Sequence, residues 1–279
     1  MRPQSARRRE IRLRALTTIL AGAMARPLLA VATALAPAWI AVPPAQAQSS
    51  LAARLATDRL AAIEPGTYQA GESVEFTIDS DGTHYLLRFA GEPEVFVLYA
   101  DHAPLGGRVL KYDSGETVLQ ITGWGGMTLY TDKKPGGLPA VRTGDSVPPS
   151  LPAVSLEEMK NAAADEAQHL AYLHRLNLSF SADWDTLADN AAVRALCFDT
   201  LENTARGIDR FSTLSDGRHA LITHVVAVLV ATGGKPTLQL NGKSLTVTFD
   251  PNMGYAGRAS SRAIARALGT LFNVKTKTR

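Results

Sequence analysis

The sequence predicts an α+β protein, with an N-terminal antiparallel β-meander rolled into a small barrel or curved sheet and a mostly helical half carrying one β-hairpin. Three observations predict it. Between residues 67 and 131, short runs alternate apolar and polar side chains and are joined by links of two to eight residues. Links that short join antiparallel neighbours, because parallel strands need a long crossover. From residue 155 the apolar spacing becomes helical, and Asn241-Gly242 then stands between two further alternating runs, the strongest short hairpin signal.

Ser49 to Ile63 reads as a short helix, with Leu51, Leu55, Leu60 and Ile63 near helical spacing and Glu64-Pro65-Gly66 as its stop. Val74, Phe76 and Ile78 then share one face of a strand. Asp81-Gly82 turns the chain into Tyr85, Leu87 and Phe89. Glu94–Tyr99, Gly107–Tyr112, Thr117–Thr122 and Met127–Thr131 complete six expected strands, the last two joined by Gly123-Trp124-Gly125-Gly126. Glycines there suit tight turns and close backbone approach. Residues 132–154 carry five prolines and three glycines, which predicts a linker or an extended strap rather than a helix or central strand.

Ser155-Leu156-Glu157-Glu158 is a capping box that opens a helix to about Leu176, with Ala163, Ala167, Leu170 and Leu173 on its packed side. Further helices are expected at Trp184–Phe198 and Thr200–Arg210, and another from Asp216 to Ala231. Val225–Val230 also fits a buried strand. Thr237–Leu240 and Ser244–Phe249 form the hairpin, spanning 237–249; Arg262–Phe272 forms a last helix, and a basic tail follows. The domain reading is thus a leader at 1–47, a lead-in at 48–66, the roll at 67–131, the linker at 132–154, the helical region at 155–273 and the tail at 274–279.

The leader has the three zones of a cleavable export signal. Seven arginines stand against one acid before residue 28, Leu28–Val42 is uncharged and mostly apolar, and Pro43-Pro44-Ala45-Gln46-Ala47 offers a small-x-small site. Cleavage is expected between Ala47 and Gln48. Fifteen helical residues rise about 22 Å, short of a roughly 30 Å hydrocarbon core, and Pro37 interrupts them. Retention as an anchor is the alternative. Arg8-Arg9-Glu10-Ile11 resembles a twin-arginine signal but is followed by Arg12 instead of an apolar residue.

The leader also hides the charge of the rest. The whole chain has 29 basic and 26 acidic residues, a net of +3. Removing the leader takes away 7 of the basic and 1 of the acidic residues and leaves a net of −3. The basis for nucleic-acid binding goes with it, and membrane contact is expected only transiently, through the leader. With one cysteine, Cys197, in an apolar helical pattern, no internal disulfide forms and a buried thiol is expected.

Chemistry is sparse. His169 and His174, like His219 and His224, are five apart, so on a helix their rings diverge by about 140°. No metal or cofactor is expected. Asp79, Asp81 and Glu75 near one turn are read as turn chemistry before calcium ligands. Glu166 or Asp165 beside His169 is a helix-surface pair. No Gly-x-Ser-x-Gly elbow is present.

Two segments stand out. Trp124 lies in a glycine-rich turn with Tyr130 on the following strand, and either packs back or contacts a ligand or partner. The second runs from Asp250 to Arg262, where Ser260 and Ser261 open a helix beside Arg258 and Arg262. Free amides and the helix dipole favour an anion there, although the lysine and spacing of a Walker loop are missing.

Gly106–Tyr112, Gly123–Thr131 and Gly257–Ile264 together resemble an exported bacterial family of unknown function. The resemblance implies an envelope location and carries no activity, substrate or catalytic residue. The expected function is therefore a non-enzymatic periplasmic or secreted protein that binds a protein partner or small anionic ligand through Trp124, Tyr130, Arg258, Ser260, Ser261 and Arg262. The alternative is a hydrolase acting on an envelope component, with Trp124, Arg258 or His169 at the edge of a groove between the halves.

Overall fold

Eight strands close on themselves in a computed structural model that describes residues 63–275. The leader at 1–47, the expected helix up to residue 62 and the tail beyond residue 275 lie outside the described residues. The described residues belong to one compact unit. The barrel strands are β1 (Gly66–Ala70), β2 (Val74–Asp81), β3 (His84–Phe89), β4 (Phe96–Ala103), β5 (Gly107–Tyr112), β6 (Thr117–Ile121), β7 (Met127–Thr131) and β8 (Lys134–Gly144). Each pairs antiparallel with the next, and β1 pairs antiparallel with β8 to close the ring.

The alternation seen in the sequence becomes inside and outside. Phe76, Ile78, Leu87, Leu98, Leu110, Leu119 and Leu129 are buried and form the barrel core with Tyr68 and Phe96. At 8 strands the interior is just wide enough to be filled by side chains. Six strands were expected; β1 and β8 are the two that the sequence hid, and they are the pair that turns a meander into a closed barrel.

The start of the expected linker, residues 134–144, is β8. Proline lacks an amide hydrogen, which usually excludes it from a central strand. Pro139 is tolerated because Ala70 opposite Ala140 ends the β1 ladder. Its carbonyl accepts from the Gly71 N–H at 3.1 Å, beyond that last pair, and the missing donor faces the turn. Pro135 sits one residue into the strand, beside the β7–β8 turn.

The second half contains α1 (Leu156–His174), β9 (Ser179–Ala182), α2 (Trp184–Ala188), α3 (Ala191–Ser212), α4 (Ser215–His224), β10 (Ala227–Thr232), β11 (Thr237–Asn241), β12 (Ser244–Phe249) and α5 (Ser261–Leu271). The capping box at Ser155 and Glu158 is complete in both directions. Leu173 is 49% exposed, so it leaves the packed face where Met159, Ala163 and Leu170 are buried.

Two expected helices are differently cut. Asn190 caps α3 through Val193 N–H at 3.1 Å, and Trp184–Ala188 becomes a separate short helix. Beyond Cys197 the helix runs on unbroken, and Thr200 and Thr204 donate their hydroxyls back to the Leu196 and Thr200 carbonyls, each at 2.7 Å. The expected Asp216–Ala231 helix stops at His224, and its end is the strand β10.

Strand β10 runs parallel to both β9 and β12 in a four-stranded mixed sheet ordered β11-β12-β10-β9. The strand carries an unbroken apolar run that resembles a buried helix segment, although only Val228 and Val230 are fully buried and Ala227, Leu229 and Ala231 are half-buried. Among the described residues no helix is long and apolar enough to cross a membrane. Cys197 is buried, and burial pushes its thiol up to about 12.

Candidate functional site

Strand direction sorts the barrel turns into two poles. The β1–β2, β3–β4, β5–β6 and β7–β8 connections share one pole, here called the mouth. The β2–β3, β4–β5 and β6–β7 turns share the other. The mouth faces the start of α5.

Ser260 is the N-cap of α5, its hydroxyl oxygen accepting from Ala263 N–H. Its own backbone N–H and hydroxyl both donate to Asp113 of the β5–β6 turn, at 2.7 and 2.5 Å. Ser261 repeats the arrangement with Glu94 from the β3–β4 link, N–H and hydroxyl each at 2.7 Å. The helix start thus holds two anions, as its dipole and free amides favour, and both are the protein's own carboxylates.

Burial pushes both carboxyls above the ordinary range. The serine hydrogen bonds and Arg258 pull both back down, and Arg210 does so for Glu94.

The arginines complete the seam. Arg258 is buried, pairs with Asp199 of α3, donates to the Val95 carbonyl at 2.6 Å and lies over the Tyr255 ring. Arg262 donates to Glu116 at 2.7 Å and Asp132 at 2.6 Å, with its guanidinium 4.6 Å from the Tyr112 ring centre. Arg210 of α3 donates its Nε–H to the Ser261 hydroxyl at 3.0 Å and lies 3.6 Å from Asp132. Arg266 donates to the Ser114 carbonyl.

Two hollows meet at this seam. One, of about 1020 Å³, opens at the mouth over Phe89, Phe96, Tyr112 and Leu138, with Lys133, Lys134, Arg210 and Arg262 around it and Glu72, Glu75, Glu92 and Asp132 among them. The other, about 780 Å³, runs down the outer face of the barrel past Val109, Gln120 and Tyr130. Tyr112, Thr131, Asp132 and Arg262 line both. Tyr130 donates its hydroxyl to Gln120 at 2.9 Å.

Of the residues singled out from sequence, the structure brings Tyr130 to the same hollow as Arg262 and sets Arg258, Ser260 and Ser261 into the seam. Trp124 stands apart, 82% exposed at the opposite pole. Asp113, Glu94, Tyr112, Asp132 and Arg210 were missed. Asp113 and Glu94 read as turn and strand-start residues because their partners lie 147 and 167 positions away.

Two of the other titratable candidates, Asp79 and His174, are occupied structurally. Asp79 is buried, accepts from the Ser146 hydroxyl at 2.5 Å and faces Arg88 at 3.8 Å. His174 meets Asp209 at 2.6 Å. Burial raises the Glu166 carboxyl, helped by nearby Glu202. Among the described residues no group of three or more His, Cys, Asp or Glu is arranged to hold a metal ion. Ser260 and Ser261 donate straight to carboxylates, with no imidazole between hydroxyl and acid.

Fold and site define a class: a closed antiparallel barrel whose mouth is roofed by a helical half through buried carboxylate–serine and arginine contacts. The chain belongs to the family described as a domain of unknown function (DUF4908), matched over residues 48–268. No curated protein and no solved structure matches it.

Proposed function

We propose that this is a non-enzymatic exported protein whose mature form, from Gln48 onward, takes a small anionic ligand or an acidic partner segment at the barrel mouth. One observation carries the reading. The mouth hollow joins an aromatic floor of Phe89, Phe96 and Tyr112 to cationic groups, Arg210 and Arg262, delivered by the other half. An apolar hollow with a few convergent polar groups is the usual form of a ligand site. Export is supported by the three-zone leader and by a family match that begins at residue 48, one position after the expected cut.

Gentle affinity purification of residues 48–279 from the native envelope, with mass spectrometry of the proteins and small molecules that co-purify, tests this. Wild type and Arg210→Ala are compared. A species enriched with wild type and reduced about tenfold in Arg210→Ala supports the mouth as its site, since a charge-assisted contact is worth about 1.5–3 kcal/mol. Equal recovery with both proteins sinks it.

A further inference from the structure

The pole opposite the mouth carries a different surface. Leu105, in the β4–β5 turn, and Trp124, in the β6–β7 turn, are each 82% exposed. The two turns touch: a Cβ on Gly123 would run into the Leu105 carbonyl oxygen, and one on Gly107 would lie 2.6 Å from the Ile121 carbonyl oxygen. Both turns are fixed. Leu105 is held at φ 59°, a region apolar L-residues rarely adopt. The Trp124 turn is closed by Thr122 N–H to the Gly126 carbonyl at 2.8 Å, and by Gly126 N–H to the Thr122 hydroxyl at 3.0 Å. Two large apolar side chains are therefore presented side by side on rigid tips.

From this geometry we infer that the Leu105–Trp124 pole seats the protein on a lipid surface. The area decides against a protein partner. Two such side chains offer on the order of 300–400 Å², whereas a stable protein interface needs roughly 800 Å² from each partner. A bilayer interface requires no matching surface, and tryptophan favours it because its ring is apolar and its N–H polar.

Chain connectivity points the same way. Gly66 at the start of β1 pairs with Ile78 toward the end of β2, so the chain enters the barrel at this pole. The apolar run Leu28–Val42 stands earlier in the sequence, so the chain that follows it reaches the barrel at this pole. The chain around this pole carries Glu64, Asp81, Asp101 and Asp145 against Arg108 and Arg142, with Arg142 paired to Asp145 at 2.6 Å and lying 3.9 Å from Glu64. Attraction to anionic lipid has no source in that balance, so insertion of the two tips carries the binding.

Residues 48–279 contain two tryptophans, Trp124 and Trp184, so Trp184→Phe leaves Trp124 as the sole reporter. This protein is mixed with vesicles of phosphatidylcholine, and separately of phosphatidylcholine with phosphatidylglycerol, and followed by emission and flotation. Trp124 emission is expected to move to shorter wavelength, and protein to float, equally with both vesicles and independently of salt. Leu105→Ser should cut partitioning by about tenfold, the equivalent of one buried leucine side chain. Emission unmoved by either vesicle overturns the inference. So does undiminished flotation of a Leu105→Ser, Trp124→Ser double variant, or a shift produced only by envelope protein and never by lipid. Both side chains are exposed, so these variants keep the fold.

Discussion

At the mouth of the barrel, the turns carry Glu94, Asp113, Glu116 and Asp132, and each of these acids meets a serine or arginine from the helical half. At the other pole the turns carry Leu105 and Trp124, and their side chains meet solvent. Both sets of turns join the same kind of strands, so topology alone does not make them differ. The mouth turns are built to accept hydrogen bonds from a partner within the chain. The far turns satisfy their own backbone locally and leave their side chains free. Intramolecular contacts therefore gather at one pole of the barrel, and exposed apolar side chains at the other.

The strongest way to break the contrast is to open the seam. Arg258→Ala leaves Asp199 and the Val95 carbonyl without their buried cation. Removing one member of a buried ion pair costs about 3–5 kcal/mol, and denaturant unfolding should show a loss of that size. A smaller loss there than at an exposed ion pair would show that the seam does not hold the halves.

At the far pole the sensitive part is backbone. Gly123→Ala forces the new methyl group against the Leu105 carbonyl, which should cost about 1–3 kcal/mol by overpacking. Its readout is a fall in unfolding midpoint, and an unchanged midpoint would mean the two turns are not rigidly in contact.

Charge sets the mouth apart as well. The Glu94 carboxyl is raised in the folded protein by burial, so the fold binds its proton more tightly than the unfolded chain does. Its contribution to stability is therefore fully present below the unfolded carboxylate value, about 4.3. It is lost as pH rises through the folded value. Stability measured against pH should fall more steeply across that window in wild type than in Glu94→Gln, and parallel curves would show that burial does not govern this group. Trp124→Ser is the smallest case. An exposed side chain without buried contacts should shift stability by no more than about 0.5 kcal/mol.

What the sequence revealed follows from how local each signal is. The hairpin around Asn241-Gly242, the capping box at Ser155 and the central strands of the meander depend on neighbours a few residues away, and the structure has all of them. β8 was hidden because the cost of a proline depends on which neighbour ends beside it, and Pro139 escapes that cost only where β1 stops. β10 was ambiguous because Ala227 to Ala231 are all apolar, so the sequence shows no alternation although burial alternates along the strand. In the site, Ser260, Ser261 and Arg262 were legible as a helix start that favours an anion. The acids that fill it belong to turns more than 140 residues earlier, and no local pattern connects the two.

The position of α5 along the chain also sets an order of assembly. Every pairing of the barrel lies within residues 66–144, most of it between adjacent hairpin strands, so the barrel can close from its own sequence. Its mouth acids then wait for Arg258 to Arg262, near the C-terminus. Contacts this distant in sequence form late, after the loop between them has been closed. A ribosome that delivers the N-terminal end first therefore makes the mouth acids before the serines and arginines that pair with them. Arrival of the last helix completes the seam, and a chain truncated before residue 258 lacks every serine and arginine that α5 brings to the mouth.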